Sequence, residues 1–333
     1  MEAVDPEYTE CEVNLDEFRK KTPGSLFHLA RENFDLEFGG IKVAVGNALR
    51  NILDAAWPPK QPRAKGMPDC MGFVLDDEAV RQKDLTHEAA EDEPALIRWA
   101  YNTSVWGLDL LYEGKPIQRF WVLEVIARVP YFSYVSVLHF YESMGWWQNT
   151  DLSKVHFAEA YAEQHHLLIM EALGGNNRWF DRFIAQHTAI AYYWAIVFLY
   201  WFSPKWSYYF MQLVEQHAAD TYEQFVLENA ELLQELPPPT VALDYYRDGD
   251  LYMFDEFMVS TAPNTRRPPV DNMLQVFENI RDDEREHVKT MIQCQDYEWL
   301  ASMQVSPHSI ESRRAWKEWS DMVNNESSEQ KKV

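Results

Sequence analysis

Two Glu-x-x-His motifs are the residues of this chain whose types and spacing are best suited to chemistry. Glu163 and His166 lie in "YAEQHHLLIMEALGG", and Glu284 and His287 lie in "IRDDEREHVKT". Residues three apart in an α-helix lie on one face, about a turn from each other, so each pair can present a carboxylate and an imidazole together. One such motif can arise by chance on an acidic helix surface. Two motifs in separate helical segments favour a shared site.

Each motif is preceded in the chain by a further glutamate in a helical pattern. Glu124 lies in "FWVLEVIARVP", and Glu215 lies in "QLVEQHAADTY". The separation is 39 residues from Glu124 to Glu163 and 69 residues from Glu215 to Glu284. The resulting order is typical of helical bundles that bind two metal ions through one glutamate from each of two helices and a Glu-x-x-His motif from each of two others.

Four carboxylates and two imidazoles are ligands that suit a pair of iron ions cycling between the ferrous and ferric states. Glu124 supports a metal role because it interrupts an apolar run, where a buried carboxylate is costly unless it is paired or binds a metal. The pattern alone is also compatible with a solvated helix surface. Four nearby groups are expected to solvate, cap or stabilise helices rather than to bind metal: His139, Glu142, His165 and Glu171.

The chain is strongly acidic, with 53 Asp and Glu against 30 Lys and Arg and a formal net charge of −23. This charge disfavours nucleic-acid binding and gives no attraction to anionic lipid.

Cys11, Cys70 and Cys294 are too few and too scattered for a disulfide framework or a thiolate metal site, which favours a reducing compartment. The N-terminal "MEAVDPEYTECEV" resembles neither a signal peptide nor a transit peptide, so the protein is either not targeted or has lost its presequence.

The middle of the chain has a different composition from its acidic flanks. Residues 97–210 contain 8 Lys and Arg, 9 Asp and Glu, and 9 of the 13 Trp. Tryptophan favours the boundary between membrane and water, so this segment predicts either an interfacial surface or an aromatic core. Residues 183–204 contain no Asp, Glu, Lys or Arg. They approach the length of a membrane span, but their polar groups favour a helix that is partly core and partly interfacial.

Hydrophobic periodicity predicts an all-α protein with three regions. Long helices are expected at about 117–146, 152–173, 178–203, 205–235 and 270–297, with further helices around 41–53 and in "ALIRWAYNTSVWGLDLLYEG". The expected regions are an acidic N-terminal extension with an amphipathic helix and the Pro-rich linker "WPPKQPRAKGMPDC" (1–95), a helical bundle (96–308), and a polar C-terminal tail (309–333).

Several long motifs resemble the alternative oxidase family, and in particular its plastid branch, the plastid terminal oxidases. They include "LEVIARVPYFSYVSVLHFYESMGWW", "AEQHHLLIMEALGGNNRWFDRF" and "NIRDDEREHVKTM", and the resemblance runs from about residue 97 to 308. The segment between Glu215 and Glu284, which contains "LPPPT" and "TAPNTRRPPV", resembles the insertion that separates the plastid branch from the mitochondrial one. The resemblance implies a ferritin-like four-helix bundle with a di-iron carboxylate centre and additional membrane-interfacial helices.

The resemblance also implies a function. It is that of a membrane-bound, non-spanning enzyme that oxidises plastoquinol and reduces O2 to water at two non-haem iron ions, without proton pumping. It further implies a homodimer on the stromal face of the plastid thylakoid membrane. Open alternatives are a ubiquinol-using alternative oxidase, another di-iron oxygenase acting on a lipid-soluble substrate, an iron-storage bundle, and a purely structural helical protein.

By matching motif positions, the resemblance assigns roles to eleven residues. The iron ligands would be Glu124, Glu163, His166, Glu215, Glu284 and His287. Tyr222 would be a redox-active group beside the metals, and the quinol pocket would contain Arg119, Leu123 and Thr221. Asp283 would orient a ligand by hydrogen bonding. In one departure from the family pattern, Ala162 stands where an asparagine is common, which puts one further hydrogen bond to the site in doubt.

Overall fold

The computed structural model describes residues 25–56, 72–87, 94–247, 268–296 and 300, and within these ranges it contains nine helices and no β-strand. The helices are α1 (Leu26–Ala56), α2 (Asp77–Asp84), α3 (Ala95–Tyr112), α4 (Pro116–Ser143), α5 (Thr150–Ala172), α6 (Trp179–Phe202), α7 (Pro204–Glu235), α8 (Thr240–Tyr246) and α9 (Met273–Gln293). The all-α prediction is confirmed.

Some of the predicted features lie outside the described residues. They are the first 24 residues of the acidic N-terminal extension, the Pro-rich linker, Cys11, Cys70 and the C-terminal tail. The region boundaries near residues 95 and 308 therefore stay predictions. Cys294, by contrast, is described, and it is a buried free thiol at the end of α9.

The four helices that carry the candidate ligands pack in two pairs. α4 lies along α5, and α7 lies along α9, and these are the two most extensive helix contacts among the described elements. α4 also packs against α6 and α7, and α5 meets α9, so the two pairs form one bundle. The order of the motifs along the chain thus becomes two helix pairs, each with one glutamate helix and one Glu-x-x-His helix.

The five long helices predicted between residues 117 and 297 are present, with ends that differ by at most four residues from the prediction. Local capping sets their first residues. Asn149 begins α5 by accepting a hydrogen bond from the Leu152 amide, and Asn272 begins α9 by accepting one from the Gln275 amide. α9 therefore begins at Met273 rather than at 270, because an asparagine cap has extended backbone and ends the loop before it.

Two short helices, α2 and α8, are not predicted by the periodicity. α8 follows three prolines that indicate a loop, and a helix of seven residues is too short to be stable alone. Burial of Ala242, Tyr245 and Tyr246 against the bundle stabilises it. In the N-terminal part, α1 spans 31 residues and is longer than the amphipathic pattern around 41–53 indicates.

The aromatic residues divide between core and surface by type. The largest fully buried side chains include eight tyrosines, whereas Trp121 is the only buried tryptophan in the described residues. Most of the others are exposed, including Trp99 and Trp106 on α3 and Trp194 and Trp201 on α6. An aromatic core is thus present, but tyrosine rather than tryptophan builds it.

Two of the helices are long and apolar enough to cross a membrane, judged by length and composition alone: Pro116–Ser143 and Trp179–Phe202. The apolar stretch of the first is 61% buried within the protein, which is typical of a core helix. That of the second is only 22% buried. The two helices therefore differ in how much apolar surface they leave outside the bundle.

The Gly174–Gly175 turn ends α5 and brings its backbone against α4. Gly174 has φ +81°, and the amides of Gly174 and Gly175 donate to the carbonyls of Glu171 and Met170, which is the Schellman pattern of helix termination. A Cβ on Gly175 would lie 2.5 Å from the Cβ of Trp121 and 3.0 Å from the carbonyl oxygen of Ile117. This close approach fixes how α5 packs on the helix that carries Glu124.

Gly175→Ala should destabilise the protein by about 2 kcal/mol, because the methyl group would push α4 away from the end of α5. We expect a fall in Tm of roughly 3–4 °C in thermal unfolding followed by circular dichroism. Gly107→Ala on α3 is the matched control, since a Cβ there meets no atom within 4 Å. Equal melting temperatures for the two variants would contradict the close approach.

Candidate metal centre

The bundle brings all six predicted ligands together in its interior. Glu124 comes from α4, Glu163 and His166 come from α5, Glu215 from α7, and Glu284 and His287 from α9. Each of the six is at most 2% exposed. Spacing within one helix predicts the pairing of Glu163 with His166 and of Glu284 with His287, and helix packing brings both pairs face to face with the further glutamates.

The six residues form two overlapping groups of candidate ligands. Glu124, Glu163, His166 and Glu284 offer ligand atoms that lie within 4.8 Å of one another. Within the same limit, a second group consists of Glu163, Glu215, Glu284 and His287. Glu163 and Glu284 belong to both groups, so these two carboxylates are placed to bridge a pair of cations. Each cation position then has one histidine and one further glutamate.

The side-chain atoms of the site are suited to metal ions rather than to hydrogen bonds with one another. No donor among the described residues makes a hydrogen bond to either carboxylate oxygen of Glu163 or Glu284, or to Oε2 of Glu124 and Glu215. The imidazoles come close, with His166 Nδ1 3.0 Å from Glu284 Oε1, but this contact is not directed as a hydrogen bond. Six buried carboxylate oxygens without a donor are costly unless a cation binds them.

The site also concentrates negative charge. Burial raises the pKa of Glu124 and Glu215, and the facing carboxylates of Glu163 and Glu284 raise both further. Burial alone would raise the pKa of Glu284 too, but the adjacent imidazoles of His166 and His287 hold it well below its ordinary value. Divalent cations bound among these groups would favour the ionised form of every carboxylate.

Two tyrosines contact the ligands across the bundle in a reciprocal way. Tyr131 lies seven residues after Glu124, and its hydroxyl donates to Glu215 Oε1 at 2.5 Å. Tyr222 lies seven residues after Glu215, and its hydroxyl donates to Glu124 Oε1. A spacing of seven residues keeps two groups on one helix face. The repeated Glu-x6-Tyr spacing was therefore a signal for Tyr131, which the sequence analysis missed.

Asp283 lies where a group that orients His166 is needed. Its Oδ2 is 3.1 Å from His166 Nε2, and it also accepts a hydrogen bond of 2.7 Å from the Tyr246 hydroxyl. The other nitrogen of His166 faces the ligand cluster. Tyr246 lies on α8, a helix that the sequence analysis did not predict, so this residue was missed. Ala162 is fully buried and its side chain offers no hydrogen bond to the site.

The three residues assigned to a quinol pocket lie on α4 and α7. Arg119 is buried, and its Nη1 lies 2.6 Å from Asp77 Oδ1 and 2.8 Å from Asp109 Oδ1. Arg119 and Thr221 both meet His217, the first at Nε2 and the second at its carbonyl oxygen. Leu123, one turn after Arg119 on α4, packs against the core.

The four groups set aside in the sequence are not in the ligand cluster. His139 and Glu142 are exposed near the end of α4. His165 hydrogen-bonds the Tyr161 carbonyl and stacks on Tyr245 of α8, with ring centroids 4.3 Å apart. Glu171 accepts a long hydrogen bond from Trp121. Their structural interpretation agrees with these contacts.

A helical bundle with two buried, overlapping carboxylate–histidine groups defines a class of protein, that of all-α proteins with a centre suited to two metal ions. The chain belongs to the alternative oxidase family, whose family model matches residues 75–296. The predicted family is thereby confirmed.

Curated relatives agree with this assignment. The chain is 57% identical over 203 residues to ubiquinol oxidase 4, chloroplastic/chromoplastic, of Arabidopsis thaliana, a match that covers 61% of this chain and 57% of the relative. It is 25% identical over 177 residues to the mitochondrial ubiquinol oxidase 1c of the same plant, covering 52% and 53%. It is 26% identical over 140 residues to the mitochondrial ubiquinol oxidase 2 of Glycine max, covering 42% of each. The chain thus spans about half the length of these relatives, and the higher identity supports the plastid branch.

Proposed function

We propose that the protein is a plastoquinol:oxygen oxidoreductase, which reduces O2 to water at two non-haem iron ions without pumping protons. The observation that carries this proposal is the pair of overlapping ligand groups that share Glu163 and Glu284. Two iron ions held there would exchange electrons between quinol and O2 by cycling between the ferrous and ferric states. The remaining roles, which are holding the ligands, exchanging protons and binding the quinol, are proposed for the side chains around the two iron ions.

Glu124 and His166 would hold one iron ion and Glu215 and His287 the other, while Glu163 and Glu284, which belong to both groups, would contribute to each. Each histidine supplies one nitrogen, and Asp283 holds the ring of His166 by accepting from its other nitrogen. Tyr222 holds a proton at its hydroxyl on Glu124 Oε1, where it can give up or take back that proton as the charge of the site changes. The ring of Tyr222 stacks on that of Phe120, with the two ring centroids 4.1 Å apart. Both side chains are fully buried, so they are shielded from water.

We place the quinol head group beside Arg119, Leu123 and Thr221. Asp77 and Asp109 fix the guanidinium of Arg119 through Nη1, while Nε of this buried side chain makes no hydrogen bond among the described residues. A donor held in this way can bind a quinol oxygen without a cost in side-chain ordering. The short distance along α4 from Arg119 to Glu124 connects this pocket to the ligand cluster.

We further propose that the protein lies on one surface of a membrane without crossing it. The outer faces of α3 and α6 support this proposal through exposed apolar side chains at helical spacing: Leu96, Trp99, Trp106 and Leu110 on α3, and Ile190, Trp194, Phe198 and Trp201 on α6. Interfacial helices with tryptophan and leucine on one face bind membranes in this manner. The plastid thylakoid is the proposed membrane, with its stromal face as the docking side and a homodimer as the assembly.

The proposed function is tested by oxygen consumption of the purified, detergent-solubilised protein in the presence of cyanide. Reduced plastoquinone and ubiquinone analogues are compared, because the relatives are named ubiquinol oxidases. Iron is quantified on the same sample. Cyanide-resistant uptake that is faster with the plastoquinone analogue, at about two irons per chain, is expected.

Other outcomes would replace the proposal. Faster oxygen uptake with the reduced ubiquinone analogue would identify ubiquinol as the preferred substrate and leave the assignment as a quinol oxidase unchanged. Bound iron without quinol-driven uptake would indicate an oxygenase or a storage protein. A folded sample that binds no iron when offered ferrous ion would exclude a di-iron enzyme.

Arg119→Lys should raise the KM for quinol by about 10-fold while leaving the iron content unchanged. Lysine keeps the positive charge between Asp77 and Asp109 but lacks the Nε donor. Steady-state kinetics with the reduced plastoquinone analogue measures the change. Arg81→Lys is the matched control, because Arg81 also pairs with Asp109 but is largely exposed on α2. An unchanged KM for quinol in Arg119→Lys would show that Arg119 does not bind the quinol.

A further inference from the structure

A second buried polar cluster lies beside the candidate metal centre and takes no part in the proposed function. His156 and Glu159 of α5 and Tyr208 of α7 form its centre, and all three are at most 2% exposed. His156 Nδ1 lies 3.0 Å from Glu159 Oε2, and His156 Nε2 lies 2.8 Å from the Tyr208 hydroxyl. The Tyr200 hydroxyl lies 2.8 Å from that of Tyr208.

The hydrogen-bond partners fix where the protons lie. The carboxylate of Glu159 can only accept, so the neutral imidazole of His156 carries its proton on Nδ1. Its Nε2 is then an acceptor, and the Tyr208 hydroxyl donates to it. Tyr200 in turn donates to the Tyr208 oxygen. Tyr208 is therefore a phenol hydrogen-bonded to a base, and that base is held in place by a buried carboxylate.

A continuous path of aromatic rings leads from this phenol to the candidate ligands. The ring centroid of Tyr208 lies 4.9 Å from that of Tyr134, and Tyr134 lies 6.2 Å from Tyr131. The Tyr131 hydroxyl donates to Glu215, and its ring centroid lies 5.6 Å from that of His287. All three tyrosines are fully buried, so water does not separate the rings.

Tyr208 differs from the other tyrosines on this path in having a base that can take its proton. Burial raises the pKa of all three well above its ordinary value, so the phenols are protonated and lose a proton only to a positioned acceptor. Tyr134 donates to the carbonyl of Ser207, which cannot take up a proton. Tyr131 donates to Glu215 Oε1, and a carboxylate that also binds a cation, as the proposed function has it, is a weaker base than the imidazole of His156.

We propose that Tyr208 is a redox-active tyrosine that gives one electron to the oxidised metal centre when no quinol is bound. The phenolic O–H bond breaks, the proton forms an N–H bond at His156 Nε2, and the electron passes through Tyr134 and Tyr131 to the centre. The product is a neutral Tyr208 radical beside an imidazolium paired with Glu159. An electron from the next quinol reduces the radical, and His156 returns the proton. The proposal rests on the proposed function for its oxidant.

The experiment places 3,5-difluorotyrosine at position 208, which keeps the hydroxyl that donates to His156 and adds two fluorine nuclei that mark a radical on this ring. The iron-loaded, reduced protein is mixed with O2 in the absence of quinol, frozen at increasing times and studied by electron paramagnetic resonance. A radical with fluorine hyperfine splitting is expected only when the label is at position 208. A label at position 134 serves as the matched control, because the Tyr134 hydroxyl donates to the carbonyl of Ser207, which cannot take up a proton. A radical without fluorine splitting at 208, or no radical in a sample that consumes O2, would overturn the proposal.

Histidine variants separate a redox role from a structural one. In His156→Gln the amide can accept the Tyr208 hydrogen bond but cannot take its proton, so the radical yield should fall by at least tenfold while the far-ultraviolet circular dichroism is unchanged. His187→Gln is the control, since His187 is exposed on α6 and its Nδ1 hydrogen-bonds the Phe183 carbonyl on the same helix, away from Tyr208. Equal yields in His156→Gln and the wild type would exclude His156 as the proton acceptor and overturn the proposal.

A metal-free measurement keeps this test independent of the proposed function. The iron-free protein labelled at position 208 is oxidised by flash-generated ruthenium(III) tris-bipyridine. A fluorine-split radical that depends on His156 supports the pair even if quinol oxidation fails. If no such radical forms in the iron-free protein or the iron-loaded one, the pair is a structural hydrogen bond, whatever the outcome of the quinol assay.

Discussion

Glu163→Gln should empty both of the proposed iron positions and abolish the oxygen consumption that the proposed function predicts. Glu163 belongs to both ligand groups, whereas Glu124 and Glu215 belong to one each. An amide is neutral and cannot bridge two cations, so the loss of affinity should exceed the roughly 10–100-fold that loss of an outer hydrogen-bond partner costs. Iron per chain after anaerobic reconstitution measures the effect, with oxygen uptake on the same samples.

Comparison among the carboxylates makes this prediction specific. Glu284→Gln should resemble Glu163→Gln, while Glu124→Gln should retain more iron because the second group stays complete. Glu171→Gln, on the same helix but outside the cluster, is the control that should keep full iron and activity. Retention of about two irons per chain in Glu163→Gln would contradict the bridging assignment.

The fold should survive these substitutions. Glu163 is fully buried among other carboxylates, and a neutral amide there costs less to bury than an ionised group. We therefore expect the iron-free variant to melt at or above the temperature of the iron-free wild type. A lower melting temperature of the iron-free Glu163→Gln variant would mean that its loss of iron reflects unfolding. Glu284→Gln would then replace it as the isosteric variant.

Tyr222→Phe should keep both irons and lower the turnover number by more than about 100-fold. The phenyl ring can still stack on Phe120, but the hydroxyl that donates to Glu124 is gone. Iron content, oxygen uptake and the KM for quinol are measured together, since a loss in turnover with unchanged iron indicates a role in the reaction rather than in metal binding.

Tyr131→Phe is the matched comparison for Tyr222→Phe. It removes an equivalent hydrogen bond from the opposite ligand, Glu215, and leaves a ring in place. If Tyr222 has a redox role beyond this hydrogen bond, its variant must lose more activity than Tyr131→Phe does. Equal losses of activity in the two variants would show that Tyr222 only positions a ligand.

Much of the bundle and its ligands could be predicted because they depend on spacing within single helices. A Glu-x-x-His pair lies on one face by the geometry of the helix itself, whatever it packs against. Long helices with regular apolar spacing were predicted to within four residues of their ends for the same reason. Short α8 was missed, because seven residues carry no periodic signal and its stability comes from burial.

Contacts between helices could not be predicted in this way. The choice of Glu163 and Glu284 as the shared carboxylates, the exchange of partners between Tyr131 and Tyr222, and the pairing of His156 with Tyr208 all join different helices. Each depends on the rotation and axial position of one helix against another, to within an ångström or so. The composition likewise left open whether the tryptophans lie in the core or on the surface.

The sequence by itself determined the class of the protein, the residues that bind metal in the proposed function, and the helices that carry them. The helices and the candidate ligands follow from the period of 3.6 residues and from the chemistry of carboxylate and imidazole, whereas the class of the protein follows from the resemblance of several long motifs to the alternative oxidase family. Only the tertiary structure decided which carboxylates are shared, which tyrosines reach the ligands and which phenol meets a base. Side chains at one helical spacing can face several neighbours, and the close packing of the whole bundle selects one of them.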